Sequence, residues 1–302
     1  MRQVAFGYST RCNIRCGHCV ATEDIPDNSK MDHGRARELI GQLARAGVGG
    51  ISFSAGEPFL YGAEMAELVQ LCKEHGIYSR IVTNSFWAKS AQAADTLVLA
   101  LQEKGLCQLR LSYSRWHQQH ISRDNVVQAA RSCQKNGLPY FISFVTDFSA
   151  ADDPHEQFLR DQGLLFFPEP VIYAGRAGSL LRRSIQTDYQ ANCCAMNPYL
   201  GPDLDMYACC DGGRHFPATN FFHLGNLRDQ GLEQLFVKSE SEPLYNLIRS
   251  MGLTNIASYL GLSARQIITY GKCELCRQLF NCPETVARLR REQRALAAWS
   301  RG

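Results

Sequence analysis

Three cysteines close to the start of the chain have the spacing most able to do chemistry. Cys12, Cys16 and Cys19 form a C-x3-C-x2-C pattern. Thiolates this close together can hold one corner of a [4Fe–4S] cluster, and the lack of a fourth cysteine nearby leaves one iron open to a substrate or cofactor. Zinc sites more often use two C-x2-C pairs, so a three-cysteine zinc or redox site is the alternative.

Composition limits the classes of protein to be considered. The chain of 302 residues is 45% hydrophobic with a net charge of +3, an ordinary globular balance that gives no case for nucleic acid as a partner. Residues 1–10 are too short and polar for a signal peptide, and no apolar run is long enough to span a membrane. Thirteen cysteines without an export signal predict metal or redox chemistry in the cytoplasm.

The elements that must position these cysteines alternate between strands and helices. Predicted strands cover residues 4–8, 50–54, 78–84, 109–113, 140–146 and 171–173. Helices with a 3.6-residue apolar period lie between the first five, for example after the capping residue Asp32. Alternation of this kind predicts an α/β fold with a parallel sheet, whose strand ends are where ligands bind.

Polar residues follow several of these strand ends. The second strand leads into Ser54-Ala55-Gly56-Glu57-Pro58, where a carboxylate can face an ammonium group and a glycine permits close backbone approach. Asn84 ends the third strand, and small hydroxyl residues end the fourth. Trp116, His117 and His120 come next and could line a substrate site, although a plain loop role is equally open.

This series of motifs resembles the radical S-adenosylmethionine (SAM) enzymes, which use the same cysteine spacing with an aromatic residue before the last cysteine, here His18. The resemblance implies a partial (β/α)6 TIM-like barrel, a [4Fe–4S] cluster whose open iron chelates SAM, and reductive cleavage of SAM to a 5′-deoxyadenosyl radical. It also implies a set of SAM contacts. These are His18, Ser54, Ala55, Gly56, Glu57, Asn84, Ser112, Ser114 and Arg176. Ser54 and Ala55 depart from the glycines of the family.

Seven further cysteines lie between residues 192 and 283, at positions 193, 194, 209, 210, 273, 276 and 282. They predict a small region built around a metal cluster instead of a large apolar core. The spacing resembles a shortened SPASM/Twitch domain, which implies one auxiliary [4Fe–4S] cluster. The expected ligands are Cys193, Cys209, Cys273 and Cys276. Cys194, Cys210 and Cys282 are alternates, and zinc is the other interpretation.

The organisation predicted from these patterns has three parts. They are a radical SAM barrel over residues 1–190, an auxiliary domain over 191–285 and a terminal helix over 286–302.

The adjacent pair Cys209-Cys210 bears on the reaction. Neighbouring side chains in an extended segment point opposite ways, so one thiol can bind a cluster while the other faces the barrel. The pair, with the motifs above, resembles the radical SAM peptide epimerases, in which the second cysteine donates a hydrogen atom; this would be Cys210. Alignment on a Gly-x4-Cys pattern would instead make Cys210 the cluster ligand, and both assignments stay open.

The resemblance therefore implies an enzyme of ribosomal peptide maturation. The expected reaction is L-to-D epimerisation through loss of a Cα hydrogen, with a precursor peptide as substrate and flavodoxin or ferredoxin as reductant. Alternatives are thioether or carbon–carbon crosslinking of a peptide, and oxidation of a small alcohol as in Twitch dehydrogenases. A metal-binding module without catalysis is the alternative outside enzymes.

Overall fold

The computed structural model describes residues 1–20, 29–181, 196–269 and 271–299. Strands and helices alternate through its first part. Their bounds are β1 Arg2–Gly7, α1 His33–Arg45, β2 Val48–Ser54, α2 Gly62–Glu74, β3 Tyr78–Thr83, α3 Ala91–Lys104, β4 Gln108–Tyr113, α4 Arg123–Asn136, β5 Tyr140–Thr146, α5 Asp153–Asp161 and β6 Phe166–Pro170. All neighbouring pairs among these six strands are parallel, in the order 6-5-4-3-2-1.

The second part adds three short strands to the same sheet and covers them with helices. Its elements are β7 Tyr199–Leu200, β8 Asp205–Tyr207, β9 His223–Asn226, α6 Leu232–Ser241, α7 Pro243–Tyr259, α8 Ala264–Thr269, α9 Lys272–Phe280 and α10 Pro283–Trp299. Strand β7 lies parallel to β1, whereas β8 and β9 are antiparallel additions. We call residues 196–299 the annex.

Local sequence explains the boundaries that matter for the site. The Asp32 side chain accepts a hydrogen bond of 2.9 Å from the Arg35 amide and starts α1. Gly105 and Gly137 end α3 and α4 with the left-handed conformation that glycine adopts without strain. These short helix-to-strand turns bring every barrel strand back with its carboxyl end at the same edge of the sheet.

The predicted α/β fold with a parallel sheet is confirmed, with two differences. The sixth strand is Phe166–Pro170, so residues 171–173 form the loop after it. The annex also has a large apolar core, continuous with that of the barrel, which contradicts the expectation of a region built only around metal. Its buried members include Phe221, Phe222 and Tyr245, and such aromatic packing supplies much of the stability of a core.

Two further sequence predictions concern the domain boundaries and membrane-spanning segments. The boundary at residues 190 and 191 lies outside the described residues, and the three-part division stays a prediction. Within the described ranges, every helix is too short or too polar to cross a membrane.

Candidate active site

The carboxyl ends of the barrel strands open onto a cavity of about 290 Å³. Nearly all the predicted site residues of the barrel meet there. Those that line it are Cys12, Cys16, His18, Cys19, Ser54, Ala55, Gly56, Glu57, Asn84, Ser112, Arg176 and Cys210. We call this space the barrel cavity. The fold therefore brings together strand ends, the loop of residues 12–19 and one annex residue, although these are up to 198 positions apart in sequence.

The thiols of the first loop are held in a largely desolvated place. Burial raises the pKa of Cys12 to about 11 and that of Cys16 to about 12, with further increases from the neighbouring cysteines. In the iron-free protein these two groups are therefore protonated thiols at neutral pH. Binding of iron must displace their protons, which makes cluster assembly pH-dependent.

Arg176 holds this loop from the far side of the barrel. Its Nε donates a hydrogen bond of 3.0 Å to the carbonyl of Cys16, and its backbone N–H donates one of 3.2 Å to the carbonyl of Cys19. The preceding Gly175 has φ +60°, and a Cβ there would come within 3.1 Å of the Cys19 carbonyl and the Val20 backbone. Arg176 is therefore a loop-positioning residue as well as part of the cavity wall.

Aromatic residues after β4 support the same loop. The His18 ring lies 5.0 Å from the Trp116 ring and 4.8 Å from that of His117, measured between centroids. Burial lowers the pKa of His18 to about 4, so its imidazole is neutral. His120 Nε2 donates a hydrogen bond of 3.3 Å to the Arg15 carbonyl. Trp116 and His120 thus brace the loop, whereas His117 also reaches the barrel cavity.

Ser114 is the predicted SAM contact that the structure separates from the others. Its side chain is fully buried, and its Oγ lies 2.7 Å from His117 Nδ1. Ser112, two residues earlier on the same strand, lines the cavity instead. The turn after β4 redirects the chain, which the sequence pattern did not reveal.

Glu57 is completely buried at the end of β2, and its carboxylate is already well hydrogen-bonded. It accepts hydrogen bonds of 2.8 Å from Thr83 Oγ1, 2.8 Å from the Asn84 amide and 3.2 Å from the Phe59 amide. Burial nevertheless raises its pKa to about 7. A carboxylate has about four acceptor positions, so roughly one is left for a cationic group in the cavity.

Two residues other than glycine, one of them a departure from the family glycines, adopt a conformation that glycine favours. Ala55 has φ +68° and Ser85, after Asn84, has φ +65°. Between them, Gly56 has φ +58°, and a Cβ there would come within 2.2 Å of the Arg11 carbonyl. Only glycine fits at position 56, while Ala55 and Ser85 tolerate a strained backbone.

A second, smaller cavity of about 40 Å³ lies in the annex and is lined by Cys209, Cys273 and Cys276. Cys209 follows β8, and the other two are on α9. The remaining predicted ligand, Cys193, lies outside the described residues, as does its alternate Cys194. Cys282 does not line this cavity, and its Sγ lies 3.1 Å from Glu284 Oε2.

The two neighbouring cysteines face different cavities. Cys209 lines the annex cavity, while Cys210 lines the barrel cavity and donates a hydrogen bond of 3.3 Å to Asp211 Oδ1. Burial, and next the carboxylate of Asp211, raise the pKa of Cys210 well above its ordinary value. The Cys210 side chain is therefore a protonated thiol in the same space as the three cysteines of the first loop.

Sequence reasoning missed a polar group on the cavity wall. Arg110 on β4 forms an ion pair with Glu169 on β6 and donates a hydrogen bond of 3.0 Å to Ser143 on β5. All three line the barrel cavity. On β4 and β5, Arg110 and Ser143 have buried apolar neighbours on both sides, and this alternation was the signal that could have identified them.

The residues present fit the cofactors that the motifs imply. Three thiols from one loop meet one cavity wall, and soft thiolate ligands select iron–sulfur clusters or zinc. The cavity extends from these thiols along the ends of β2, β3 and β4. The annex thiols offer soft ligands for a second metal group.

Comparison with known proteins agrees with the barrel assignment. Residues 7–152 match the family described as the radical SAM superfamily. The chain is 22% identical to YydG of Bacillus subtilis (strain 168), a protein provisionally named for peptide biosynthesis, over 94% of each chain. A stretch covering 25% of this chain is 33% identical to the pyruvate formate-lyase-activating enzyme of Clostridium pasteurianum, covering 34% of that enzyme.

A solved structure supports the same fold. The structure of histidine-tagged anSMEcpe with bound AdoMet superimposes with a TM-score of 0.63 at 15% identity, covering 98% of this chain and 96% of the other. Residues 7–152 therefore form a domain of the radical SAM superfamily. A domain of this kind implies SAM and a [4Fe–4S] cluster as cofactors.

Proposed function

We propose that this enzyme epimerises residues of a ribosomally made peptide from L to D. The observation that carries the proposal is the arrangement of the cysteine pair, with the Cys210 thiol on the cavity of the first cysteine loop and Cys209 on the annex cavity. The name of the relative YydG supports a peptide as the substrate class. We also propose that the protein is located in the cytoplasm, since thirteen cysteines suit a reducing compartment.

The cofactor roles follow the residues of the barrel cavity. Cys12, Cys16 and Cys19 would hold the [4Fe–4S] cluster, which together with SAM supplies a 5′-deoxyadenosyl radical when bound. Glu57 and the backbone around Ser54, Ala55 and Gly56 would orient SAM. These residues form one wall of the cavity and have their positions set by the ends of β2 and β3.

Other residues would complete the SAM site from the remaining strands. Asn84 and Ser112 present an amide and a hydroxyl at the ends of β3 and β4, and Arg176 and His18 close the side near the loop. The neutral imidazole of His18 adds no positive charge beside the cysteines, because burial lowers its pKa to about 4.

Cys210 would complete the inversion. Transfer of the Cα hydrogen from one face of a peptide residue to the 5′-deoxyadenosyl radical would give 5′-deoxyadenosine and leave a planar carbon radical. The Cys210 S–H bond then breaks, and its hydrogen atom adds to the opposite face, which leaves a thiyl radical on the protein. A thiol is needed for this step, and burial beside Asp211 keeps Cys210 protonated.

The thiyl radical must be returned to a thiol before the next turnover. This requires one proton and one electron, and the electron comes from a reductant of the flavodoxin or ferredoxin class. An auxiliary [4Fe–4S] cluster would relay it, with Cys209, Cys273 and Cys276 as ligands and Cys193 as the fourth. Cys209 is the residue next to Cys210, so the electron path to the thiyl radical would be short.

The test is anaerobic turnover of the reconstituted enzyme in D₂O with SAM, dithionite and the small peptide encoded beside its gene. Mass spectrometry should find one deuterium at Cα for each modified residue, because a thiol exchanges its hydrogen with solvent. The variant Cys210→Ala should still form 5′-deoxyadenosine but no D-residue. Cys107→Ala, which removes a thiol far from both cavities, is the matched control.

Other products would contradict the proposal. Loss of two hydrogens from the peptide would mean crosslinking or dehydrogenation, in which Cys210 has no donor role. Formation of 5′-deoxyadenosine with an unchanged peptide would direct the search to small alcohols. Inversion by Cys210→Ala at the wild-type rate would remove the assigned hydrogen donor.

A further inference from the structure

Strands β3 to β6 carry an unusual set of side chains on the face that looks into the barrel. Side chains alternate along a strand, so Arg80 shares a face with Val82, and Phe167 with Glu169. Val82 and Glu169 line the barrel cavity, which identifies this face as the inner one. The opposite face carries buried apolar residues, such as Leu109 and Leu111 on β4.

Two arginines on this inner face lie close together. The guanidinium carbon of Arg80 is 5.4 Å from the centroid of the Phe141 ring, and that of Arg110 is 5.8 Å from the same centroid. Contact with one aromatic ring restricts both flexible side chains. The ring of Phe141 in turn packs edge-on against Phe167, at 5.7 Å between centroids.

Only one of the two arginines is paired with a carboxylate. Glu169 pairs with Arg110, whereas Arg80 Nε donates its hydrogen bond of 2.6 Å to the neutral amide of Gln108. Among the residues that the structure describes, Arg80 forms no ion pair, and Arg110 Nε is buried without a hydrogen-bond partner. The group of Arg80, Arg110 and Glu169 therefore carries one positive charge in excess.

Desolvation makes this excess charge unfavourable unless an anion binds. Burial lowers the pKa of Arg80 and the charge of Arg110 lowers it further, whereas Tyr78 and Glu169 offset part of this decrease. The site is nevertheless open to solvent, since Phe167 is 52% exposed and Tyr78, on the same face of β3 as Arg80, is 44% exposed. A half-buried, under-compensated guanidinium beside exposed aromatic rings suits an anionic side chain from a binding partner.

We propose that Arg80 and Arg110 bind the carboxylate of an acidic residue, Asp or Glu, in the peptide substrate, close to the residue that is modified. This inference rests on the proposed function, because it takes the occupant of the barrel to be a peptide. Guanidinium groups match a carboxylate with two parallel N–H···O bonds, which an ammonium group cannot do.

The position of the arginines sets the register of the substrate. Arg110 lies two residues before Ser112 on β4, about 7 Å further from the cavity end of the strand at the usual rise of an extended chain. Arg80 is on the neighbouring strand, at the level of Gln108 in the β3–β4 register. An extended peptide therefore needs about two positions to span the distance to Arg110 and about four to reach the level of Arg80.

The inference is tested by binding without turnover. Anaerobic holoenzyme with SAM is incubated with a random library of heptapeptides that are acetylated and amidated, so that only side chains carry charge. Bound peptides are separated by ultrafiltration and sequenced by mass spectrometry. Wild-type enzyme should enrich Asp and Glu over Asn and Gln by about tenfold, the size expected for hydrogen bonds to a charged group.

Three variants make the result specific. Arg80→Gln should lose most of this enrichment, whereas Arg37→Gln, an exposed arginine on α1, should keep it. Arg80→Glu should enrich Lys and Arg instead, a reversal that misfolding cannot produce. Equal retention of acidic and amide peptides by wild-type enzyme, including no retention of either, overturns the proposal, as does unchanged enrichment in Arg80→Gln. This binding experiment needs no turnover. Its result can therefore be interpreted even if the deuterium experiment fails.

Discussion

The two cysteine-lined cavities are assembled in different ways. In the barrel, three thiols come from eight consecutive residues, and the fold contributes braces such as Arg176 and Trp116 around a loop that is already a chelate. In the annex, Cys209 and the pair Cys273 and Cys276 come from segments more than sixty residues apart. Local spacing determines the first site, whereas packing of the annex core determines the second.

The two sites also differ in what surrounds the thiols. The barrel cavity is larger and has polar strand ends on one wall, as a site for SAM and substrate requires. The annex cavity is small and bounded by apolar side chains such as Phe222, Ile248 and Leu253. The first arrangement suits chemistry, and the second suits a group that only stores or transfers electrons.

The largest effect is expected when one thiol is removed from each of the two cavities in separate variants. Cys16→Ala should abolish cleavage of SAM, because an incomplete loop cannot hold the barrel cluster. Cys273→Ala should lose iron from the annex yet keep cleavage of SAM. Iron content, EPR spectra and 5′-deoxyadenosine formation measure both, with Cys107→Ala as control. Loss of cleavage in both variants would show that the barrel site depends on the annex.

A second prediction removes packing instead of a ligand. Phe222 is buried, stacks on Tyr245 at 5.5 Å between centroids and lines the annex cavity. Phe222→Ala should lower the free energy of unfolding by about 3–5 kcal/mol and release iron from the annex first. Phe53→Ala, the matched change in the barrel, should affect iron at both sites. Denaturant titration with iron analysis distinguishes the two patterns.

Equal loss of iron from both sites in Phe222→Ala would contradict this distinction. It would mean that the continuous apolar core makes the barrel and the annex one cooperative unit.

A third prediction concerns pH and the buried carboxyl of Glu57. Its pKa rises from the ordinary 4.5 to about 7, so the folded state favours the protonated form. The stabilisation is present below about pH 4.5 and is lost as pH rises to about 7. The rise of about 2.5 pH units corresponds to up to about 3 kcal/mol.

Buried histidines such as His18, with their lowered pKa, give stability a slope of the opposite sign below about pH 6.5. The contribution of Glu57 is therefore the difference between wild type and Glu57→Gln in urea unfolding of the iron-free protein between pH 5 and pH 8. Stability should fall more steeply with pH, or rise less, in wild type than in Glu57→Gln, whereas Glu38→Gln, at an exposed position on α1, should follow wild type. A Glu57→Gln protein with the same slope as wild type would assign the pH dependence to other groups.

The smallest effect is expected at Ser85, a residue other than glycine in a left-handed backbone conformation. Ser85 has φ +65° and a buried hydroxyl that makes no hydrogen bond to any described residue. Ser85→Gly relieves both and should stabilise the fold by about 1 kcal/mol. Ser85→Ala, the control, removes the hydroxyl but keeps the strained φ. A gain in Ser85→Ala equal to that in Ser85→Gly would show that the hydroxyl, and not the backbone, carries the strain.

The barrel strands illustrate how far sequence patterns reach. The predicted bounds of β5 are correct, because alternating apolar residues between a glycine-capped helix and a turn leave few choices. The predicted sixth strand lies five residues too late, since Pro168 and Pro170 argue locally against a strand at an edge position. Helix α5 was not predicted, because it has only nine residues and most of them are polar or charged.

The candidate site shows the same division. The chelating loop, the acidic turn at Glu57 and the existence of an adjacent cysteine pair could be predicted from the sequence, because each depends on neighbours within a few residues. Tertiary packing sets which cavity each cysteine of that pair faces, turns Ser114 toward His117, and brings Arg80, Arg110 and Glu169 together on the inner wall. Those outcomes depend on strand register and on contacts between distant segments, and no local spacing encodes them.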